Sequence, residues 1–428
     1  MDTKQQYDRY VLPVVAQGVE PIVVVRASGR TVTDQDGKTY LDCFSGISVV
    51  NAGHNHPRVL AAAREQMEQL VHCCSYVYHV PVVGQLAQKL AALLPGDLEK
   101  SFFANSGAEA IEGAMRLAKQ ATGRRELVAL ACGFHGRTIG ALSITGNSAR
   151  KRNNGPYLSG VAFGPAPYCY RCPLGLEYPS CDVACAHALR DVVKHQTSND
   201  VAAFIVEPLL GEGGIVTPPA EYLTVAASIF HENGSLLIVD EVQTGFGRTG
   251  KLFGVEHSPE VRPDVVTMAK GIASGFPLGA FTAREPICDA MKPGDHLSTF
   301  GGNPISCAAA LANLAVIEEE NLVENAARRG EELLARFRKL QEKHRLIGDV
   351  RGRGLMIGLE LVRDRKTKEP AAQQAKALRA DLRERGLLVG VGGLLGNVLR
   401  IQPPLSIMAQ ECDRACELLD QAFGAISA

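Results

Sequence analysis

The chain has 428 residues, which is enough to bury a large core and to divide into two or three structural units. Its formal net charge of −1 at pH 7 gives no sign of the basic surface that nucleic acids and anionic membranes attract. Residues 1–10 are polar and carry no leader pattern, and no apolar stretch is long enough to span a bilayer. We therefore expect a cytoplasmic protein that binds neither nucleic acid nor membranes.

The first 305 residues change from a short β-rich segment to an alternation of strands and helices. An Asp-Gly turn at residues 36 and 37 separates two β-prone runs, which predicts a strand pair. Beyond residue 60, short apolar runs alternate with helical patterns, as they do in a largely parallel α/β sheet. The predicted strands are 127–131, 201–206, 236–239, 265–268 and 278–281.

After Pro304 the sequence changes to long, charged, helix-forming segments. These segments, at 318–345 and 371–385, flank short β-like pieces at 355–361 and 398–401. Such a mixture predicts a separate α+β unit. We therefore divide the chain into an N-terminal arm with part of a small domain (1–60), a large domain (61–305) and the C-terminal part of the small domain (306–428).

A Ser-Gly pair in front of a helical pattern predicts an anion site. Asn105 and Ser106 supply the start signal of a helix, and apolar residues follow at helical spacing from residue 111 to residue 118. The free N–H groups and the positive dipole end of that helix favour a phosphate near Gly107. Capped helices are common, so the same pattern also fits an ordinary helix start.

Two predicted strands end in residues of complementary chemistry. The strand at 236–239 runs directly into Asp240, and the strand at 265–268 is followed closely by Lys270. Because the carboxyl ends of parallel strands meet at the crevice where ligands bind, the carboxylate and the amine can reach one small molecule. Pyridoxal 5′-phosphate needs both: a lysine amine that bonds to it, and an acid that keeps its ring nitrogen protonated. Partial burial would lower the pKa of Lys270 and make it a usable nucleophile and proton carrier.

Residues 133–137, Gly-Phe-His-Gly-Arg, follow the predicted strand at 127–131. Phe134 at a strand end can stack on a planar ring, and Arg137 can bind a carboxylate with two hydrogen bonds. A core phenylalanine and a surface arginine are the plainer interpretations.

The twelve cysteines are mostly scattered among apolar neighbours, where they behave as small hydrophobic residues. The exception is a group formed by Cys169, Cys172, Cys181 and Cys185. Paired cysteines at such spacings can bind zinc or an iron–sulfur cluster, but the segment is rich in Pro, Gly and Tyr, as a surface loop is. We expect no metal there, and favour free thiols or a disulfide.

Together these motifs resemble the class III, fold type I, pyridoxal-phosphate-dependent aminotransferases, which include 4-aminobutyrate, ornithine and acetylornithine aminotransferases and some racemases and decarboxylases. The resemblance covers nearly the whole chain and includes, in matching order, segments 53–57, 206–214, 245–250, 298–304 and 398–404. It implies an α/β fold in which helices enclose a large, mostly parallel sheet, with a smaller α+β domain built from both termini.

The resemblance also implies roles for the cofactor-site residues. Lys270 would be the lysine that bonds to pyridoxal phosphate, and Asp240 the partner of its ring nitrogen. Val242 and Phe134 would enclose the ring, and Gln243 would bind its phenolic oxygen. Backbone groups of Gly107 and Ala108 would hold the phosphate, although Ala108 lacks the hydroxyl that the family commonly has there. The cofactor site would further include Ser106, His135, Glu207 and, from a second subunit, Thr299.

Four residues are implied at the substrate side of the site. Arg400 would bind the α-carboxylate of an amino or 2-oxo acid, and Glu212 would pair with Arg400 and mask it while an ω-amine reacts. Arg137 and Ile47 would surround the distal carboxylate. These residues favour a ping-pong aminotransferase that moves an amino group from an ω-amino acid such as 4-aminobutyrate to 2-oxoglutarate or pyruvate.

Several alternatives share the same motifs. A racemase or epimerase, a decarboxylase, or an aminotransferase for ornithine derivatives or α-amino acids would use the same lysine and cofactor. A nicotinamide-dependent enzyme does not fit, because the glycines at 390–396 lack the required spacing. A non-catalytic relative would be expected to lack Lys270 or Asp240. If Thr299 completes a neighbour's site, the smallest unit is a homodimer, which can assemble into a dimer of dimers.

Overall fold

The computed structural model describes residues 1–14 and 19–427. Its strands are β1 (Val24–Ser28), β2 (Thr31–Asp34), β3 (Thr39–Asp42), β4 (Leu98–Ala104), β5 (Glu126–Leu130), β6 (Val161–Gly164), β7 (Val201–Val206), β8 (Leu236–Asp240), β9 (Val265–Met268), β10 (Gly279–Arg284), β11 (Ile347–Arg353), β12 (Met356–Leu361), β13 (Leu387–Leu388), β14 (Gly390–Gly392) and β15 (Val398–Ile401). Its helices are α1 (Thr3–Tyr10), α2 (Ser45–Ser48), α3 (Pro57–Gln69), α4 (Pro81–Leu93), α5 (Gly107–Thr122), α6 (Ile139–Ser143), α7 (Ala184–His187), α8 (Leu189–Gln196), α9 (Tyr222–Glu232), α10 (Glu285–Cys288), α11 (Pro304–Glu319), α12 (Leu322–Lys343), α13 (Ala372–Glu384) and α14 (Ala409–Ser427).

The largest sheet has seven strands in the order β4-β10-β9-β8-β7-β5-β6. All neighbouring pairs from β9 to β6 are parallel, whereas β10 runs antiparallel to both β9 and β4. Two antiparallel pairings return β4 to the direction of β9. The carboxyl ends of β4, β5, β7, β8 and β9 therefore meet at one edge, where ligands of open α/β sheets bind.

The central strands of this sheet are buried on both faces. Along β7, Phe204 and Val206 belong to one hydrophobic cluster, while Ala203 and Ile205 belong to another on the opposite face. The second cluster includes the apolar face of α5, which packs across β7, β8, β9 and β10. Successive strand residues point to opposite faces, so a continuous apolar run is what a sheet covered on both sides requires.

Two four-stranded sheets make up the smaller α+β part. The first has the order β1-β2-β3-β13 and joins N-terminal strands to a strand from the C-terminal region. The second, β11-β12-β15-β14, is antiparallel and packs against α12 and α13. Both ends of the chain therefore build this part, and the predicted fold class is confirmed.

The predicted strands at 127–131, 201–206, 236–239, 265–268 and 278–281 correspond to β5, β7, β8, β9 and β10. The helical segment predicted at 318–345 is two helices rather than one. Asn321, with φ of 50°, lies between α11 and α12 in the left-handed region that asparagine tolerates, and this ends the first helix. None of the described helices combines the length and the apolar character needed to cross a membrane.

Candidate active site

A cavity of about 610 Å³ opens at the edge of the large sheet where β4, β8 and β9 end. Its lining includes predicted site residues from distant parts of the sequence: Ser106, Gly107, Ala108, Phe134, His135, Arg137, Glu207, Asp240, Val242, Gln243 and Lys270. The fold therefore brings together the predicted carboxylate, the predicted amine and the predicted phosphate loop in one cavity.

The start of α5 forms one end of this cavity. Ser106 caps the helix, because its Oγ accepts a hydrogen bond of 3.2 Å from the Glu109 N–H. The N–H groups in the first turn of a helix have no partners within the helix, so they are available to an anion. Gly107 allows this helix end to approach Val242, since a Cβ at Gly107 would lie 2.8 Å from Val242 Cγ1.

Asp240 is held in a fixed orientation at the end of β8. Its Oδ2 lies 2.7 Å from His135 Nδ1, and its Oδ1 accepts hydrogen bonds from the Val242 N–H at 3.0 Å and from Thr267 Oγ1 at 3.3 Å. Burial alone would lower the pKa of His135, but the hydrogen bond to Asp240 and the charges of Asp240 and Glu207 outweigh it and raise that pKa. The contact with His135 therefore supplies a hydrogen-bond partner for the buried side chain of Asp240.

Lys270 directly follows the turn at the end of β9, with a left-handed φ of 44°. Burial lowers the pKa of the Lys270 amine, while the charges of Asp240 and Glu207 oppose that shift. A lysine with a lowered pKa is more readily available in its neutral, nucleophilic form. Lys270 therefore has the electrostatic environment that a catalytic lysine needs.

Glu207 fixes the loop that carries Phe134. Its two carboxylate oxygens accept hydrogen bonds from the Phe134 N–H at 3.0 Å and from the Gly211 N–H at 2.8 Å. Burial raises the pKa of Glu207 to about 7, with the nearby His135 opposing and Asp240 reinforcing the shift. The carboxyl group thus ties the loops after β5 and β7 together behind the cavity.

We expect the Glu207→Gln variant to lose part of the pH dependence of folding stability. The folded state binds the Glu207 proton more tightly than the unfolded state, because the pKa rises from 4.5 to about 7. This contribution is complete below pH 4.5 and is lost as the pH rises to 7, which amounts to on the order of 3 kcal/mol. Urea unfolding at pH 5 and pH 7.5 measures it. The exposed control Glu260→Gln keeps the wild-type pH dependence, and an equal slope for wild type and Glu207→Gln would contradict the assignment.

Buried polar atoms without hydrogen-bond partners show which groups of the cavity could bind pyridoxal phosphate. Gln243 Nε2 and His135 Nε2 are buried and have no hydrogen-bond partner within the described structure. Buried polar atoms without partners are costly, and polar atoms of a ligand can satisfy them. Phe134, whose ring faces the Arg137 guanidinium at 5.7 Å, supplies an aromatic wall. With the helix start, the acid and the amine, these groups fit a planar, anionic, phosphorylated pyridine.

The predicted Glu212–Arg400 pair is absent from the described structure. Glu212 instead binds Arg150, whose Nε lies 2.8 Å from Oε1 and whose second nitrogen also contacts that oxygen. Its other oxygen, Oε2, accepts a hydrogen bond of 2.8 Å from Asn147. Both carboxylate oxygens are therefore occupied by one short turn, Ser148–Arg150, and its capping residue. The expectation that Glu212 covers Arg400 is wrong for this conformation.

Arg400 lies on β15 beside the cavity and is only 7% exposed. Its guanidinium carbon is 5.2 Å from the centroid of the Phe44 ring, and its Nε has no hydrogen-bond partner among the described residues. Burial lowers the pKa of Arg400 to about 10, and the charge of nearby Glu212 opposes that shift. The positive charge of Arg400 also helps to lower the pKa of the Lys270 amine.

Ile47 and Thr299 lie outside the cavity lining. Ile47 is 45% exposed, in a left-handed turn with φ of 70°. Thr299 is exposed between the exposed apolar residues Leu297 and Phe300. Neither residue is among those that line the cavity of its own chain, and the contribution of Thr299 to a second subunit stays a prediction.

Among the residues that the sequence analysis did not predict are Thr267, Asn147 and Arg150, which hold Asp240 and Glu212 in place. The sequence could have indicated Thr267, because it lies near the end of β9 and the predicted active residue Lys270 follows that strand. Asn147 and Arg150 lie in a polar segment without periodicity. Only the long-range contact with Glu212 reveals their role.

The four clustered cysteines, Cys169, Cys172, Cys181 and Cys185, line one small cavity beside β6 and α7. All twelve cysteines are free thiols, and the described residues include no group of three or more His, Cys, Asp or Glu side chains arranged to hold a metal. The segment is anchored instead by Arg171, which forms an ion pair with the fully buried Glu360 of β12. Its observed role is to join the large sheet to the small domain.

Known proteins resemble this chain over almost its whole length. The family described as aminotransferase class-III matches residues 14–423. A leucine/methionine racemase of Thermococcus litoralis is 42% identical over 94% of this chain and 90% of its own length. A probable 4-aminobutyrate aminotransferase of Bacillus subtilis is 36% identical over 99% of this chain and 97% of its own. The structure of a pyridoxal-phosphate-bound amine transaminase from an uncultivated Pseudomonas species has a TM-score of 0.92 at 34% identity, covering 97% of this chain and 98% of that one.

These matches confirm the predicted family, fold and cofactor. The family match and both relatives extend over the large sheet and the smaller α+β part alike. The cavity at the sheet edge also has the donors, the acid and the lysine that the cofactor requires. The chain therefore belongs to the class III aminotransferases, pyridoxal-phosphate-dependent enzymes of fold type I.

Proposed function

We propose that the enzyme moves an amino group from an ω-amino acid such as 4-aminobutyrate to a 2-oxo acid such as 2-oxoglutarate or pyruvate, in a ping-pong cycle. The observation that carries this proposal is the pair of arginines at the cavity. Arg137 is exposed and lines the cavity, and the buried Arg400 lies outside the lining but acts through its charge on Lys270. Two separated guanidinium groups suit a dicarboxylic acceptor, and the outer one suits the distal carboxylate of an ω-amino acid.

Each residue of the cavity has a distinct task in this proposal. Bound pyridoxal phosphate supplies an electron sink next to the reacting carbon. Lys270 would take a proton from the substrate carbon and deliver it to C4′ of the cofactor, which its lowered pKa favours. Asp240, fixed by His135 and Thr267, would keep the ring nitrogen protonated. The first turn of α5 would hold the phosphate, and Phe134 and Val242, which line the same cavity, would contact the ring.

The proposed assembly is a cytoplasmic homodimer, or a dimer of dimers. Thr299 is exposed and lies outside the cavity of its own chain. Its neighbour Ser298 hydrogen-bonds Asn105 at 3.4 Å, so the segment is fixed next to the phosphate loop. In a twofold dimer the same segment of each chain can reach the other chain's site.

A second candidate is racemisation or transamination of an α-amino acid. It is favoured by the unmasked Arg400, which in this conformation can bind the α-carboxylate of an amino acid directly. Similarity to a leucine/methionine racemase agrees with it. The two candidates differ in product, because racemisation inverts the α-carbon and yields no 2-oxo acid.

The test uses Arg137→Met with two donors of similar length, 4-aminobutyrate and butylamine, and 2-oxoglutarate as acceptor. We expect kcat/KM for 4-aminobutyrate to fall by about 10- to 100-fold, since a lost hydrogen bond to a charged group costs about 1.5–3 kcal/mol. Butylamine has no carboxylate, so its kcat/KM is expected to stay unchanged.

The same reactions, repeated with L-leucine and analysed by chiral chromatography, decide between the candidates. Glutamate formed from 4-aminobutyrate supports the ω-aminotransferase. D-leucine formed without any amino transfer from 4-aminobutyrate contradicts it and supports the racemase.

A further inference from the structure

The Glu212 side chain is held by two neighbouring residues, Asn147 and Arg150. Arg150 contacts Oε1 with two nitrogens and Asn147 binds Oε2, so the carboxylate is held by three hydrogen bonds. Asn147 is 3% exposed and also caps the turn that carries Arg150, through a hydrogen bond of 3.1 Å to the Ala149 N–H. The turn and the carboxylate therefore form one preorganised unit.

The charges of Glu212 and Arg150 both act on Arg400, although neither residue forms a hydrogen bond or ion pair with it in the described structure. After burial, Glu212 is the largest influence on the pKa of Arg400 and raises it, while Arg150 lowers it. Arg150 contacts the Glu212 carboxylate directly, whereas Arg400 interacts with it only through its charge. In the described structure Arg150 holds Glu212, and the buried Nε of Arg400 has no partner.

We propose that Arg150 is a specificity-determining residue that holds Glu212 away from Arg400 whenever a substrate carboxylate has to bind there. This inference rests on the proposed function, in which an ω-amino donor and a 2-oxo acid share one cavity in alternation. The donor has no carboxylate next to its amine, so Glu212 can turn to Arg400. The 2-oxo acid does have one, and Arg150 then provides the alternative partner for Glu212.

The charges explain why a second arginine is needed. The Glu212 side chain is only 15% exposed, so leaving its carboxylate without a partner when it is not bound to Arg400 would be costly. Arg150, whose side chain is 27% exposed, supplies that partner while remaining partly solvated. Because Glu212 binds Arg150 in this conformation, a ligand carboxylate that binds Arg400 is expected to shift the population toward it.

The test is Arg150→Met, with Arg152→Met as a matched control on the same segment. Arg152 is exposed and makes no side-chain contact with Glu212 in the described structure. We expect KM for 2-oxoglutarate to rise by about tenfold in Arg150→Met with little change in kcat, a size typical of coupling between two sites. The kcat/KM for 4-aminobutyrate in the first half-reaction is expected to stay equal or to rise. Arg152→Met is expected to match wild type.

Two further measurements separate this role from a structural one. Calorimetry with glutarate, a dicarboxylate that cannot react, is expected to give a dissociation constant about tenfold higher for Arg150→Met than for wild type. Arg150→Lys keeps the positive charge and is expected to recover part of the affinity. Equal losses with donor and acceptor, or unchanged glutarate binding, would overturn the role of Arg150. Failure of wild type to use 4-aminobutyrate would instead reject the proposed function.

Discussion

Replacement of Lys270 by alanine is expected to remove amino transfer almost completely while leaving the protein folded. Lys270 is the only lysine lining the described cavity, and burial lowers the pKa of its amine. The variant loses both the amine that bonds to the cofactor and the group that moves the proton. Loss of a positioned acid–base group alone typically costs about 10²- to 10⁴-fold, so we expect kcat to fall by at least about 10³-fold.

Mass spectrometry after borohydride reduction tests the covalent role separately from turnover. Wild type is expected to gain the mass of the reduced cofactor on the peptide that contains Lys270, and Lys270→Ala is expected to gain none. Lys194→Ala, an exposed lysine on α8, is the matched control and keeps both the label and the activity. A Lys270→Ala variant with more than a tenth of wild-type kcat, or a label on another lysine, would contradict the assignment.

Replacement of Asp240 by asparagine is expected to lower kcat by about 10²- to 10³-fold. A loss of this size is typical when one group that stabilises charge in the transition state is removed. Asparagine preserves the shape of the side chain but cannot hold a proton on the ring nitrogen by charge. The hydrogen bond to Asp240 and its charge also raise the pKa of His135, whereas burial lowers it. The variant is therefore expected to lower the pKa of His135 as well.

Two readouts distinguish this loss of charge from a loss of fold. Nuclear magnetic resonance titration of His135 is expected to give a lower pKa in Asp240→Asn than in wild type, and the unfolding midpoint is expected to change little. Asp191→Asn, at an exposed position on α8, serves as the control. A kcat within threefold of wild type would show that the carboxylate charge is not needed.

The sequence was sufficient to predict the fold and the central pair of residues for physical reasons. Apolar runs such as 201–206 are continuous because both faces of the sheet are covered. Asp240 and Lys270 stand at the ends of two such runs, and adjacent parallel strands must bring their carboxyl ends together. A strand pattern and one rule of sheet geometry therefore locate the predicted acid and amine.

Local sequence was insufficient where long-range contacts decide the structure. Strand β4 was not predicted, because Glu99 and Lys100 are exposed and interrupt its apolar pattern. The partner of Glu212 was predicted wrongly, because the choice between Arg150 and Arg400 depends on side chains 62 and 188 residues away in the sequence. No periodicity records such a choice, and only the packed structure reveals it.

The proposed ω-aminotransferase is tested most directly by the absorbance spectrum of the purified enzyme during its two half-reactions. Addition of 4-aminobutyrate alone is expected to shift the cofactor band from the edge of the visible region into the ultraviolet, and 2-oxoglutarate is expected to restore it. A cofactor band that does not respond to 4-aminobutyrate would contradict the proposed donor. Absence of any cofactor band, even after addition of pyridoxal phosphate, would contradict the account of the cavity itself.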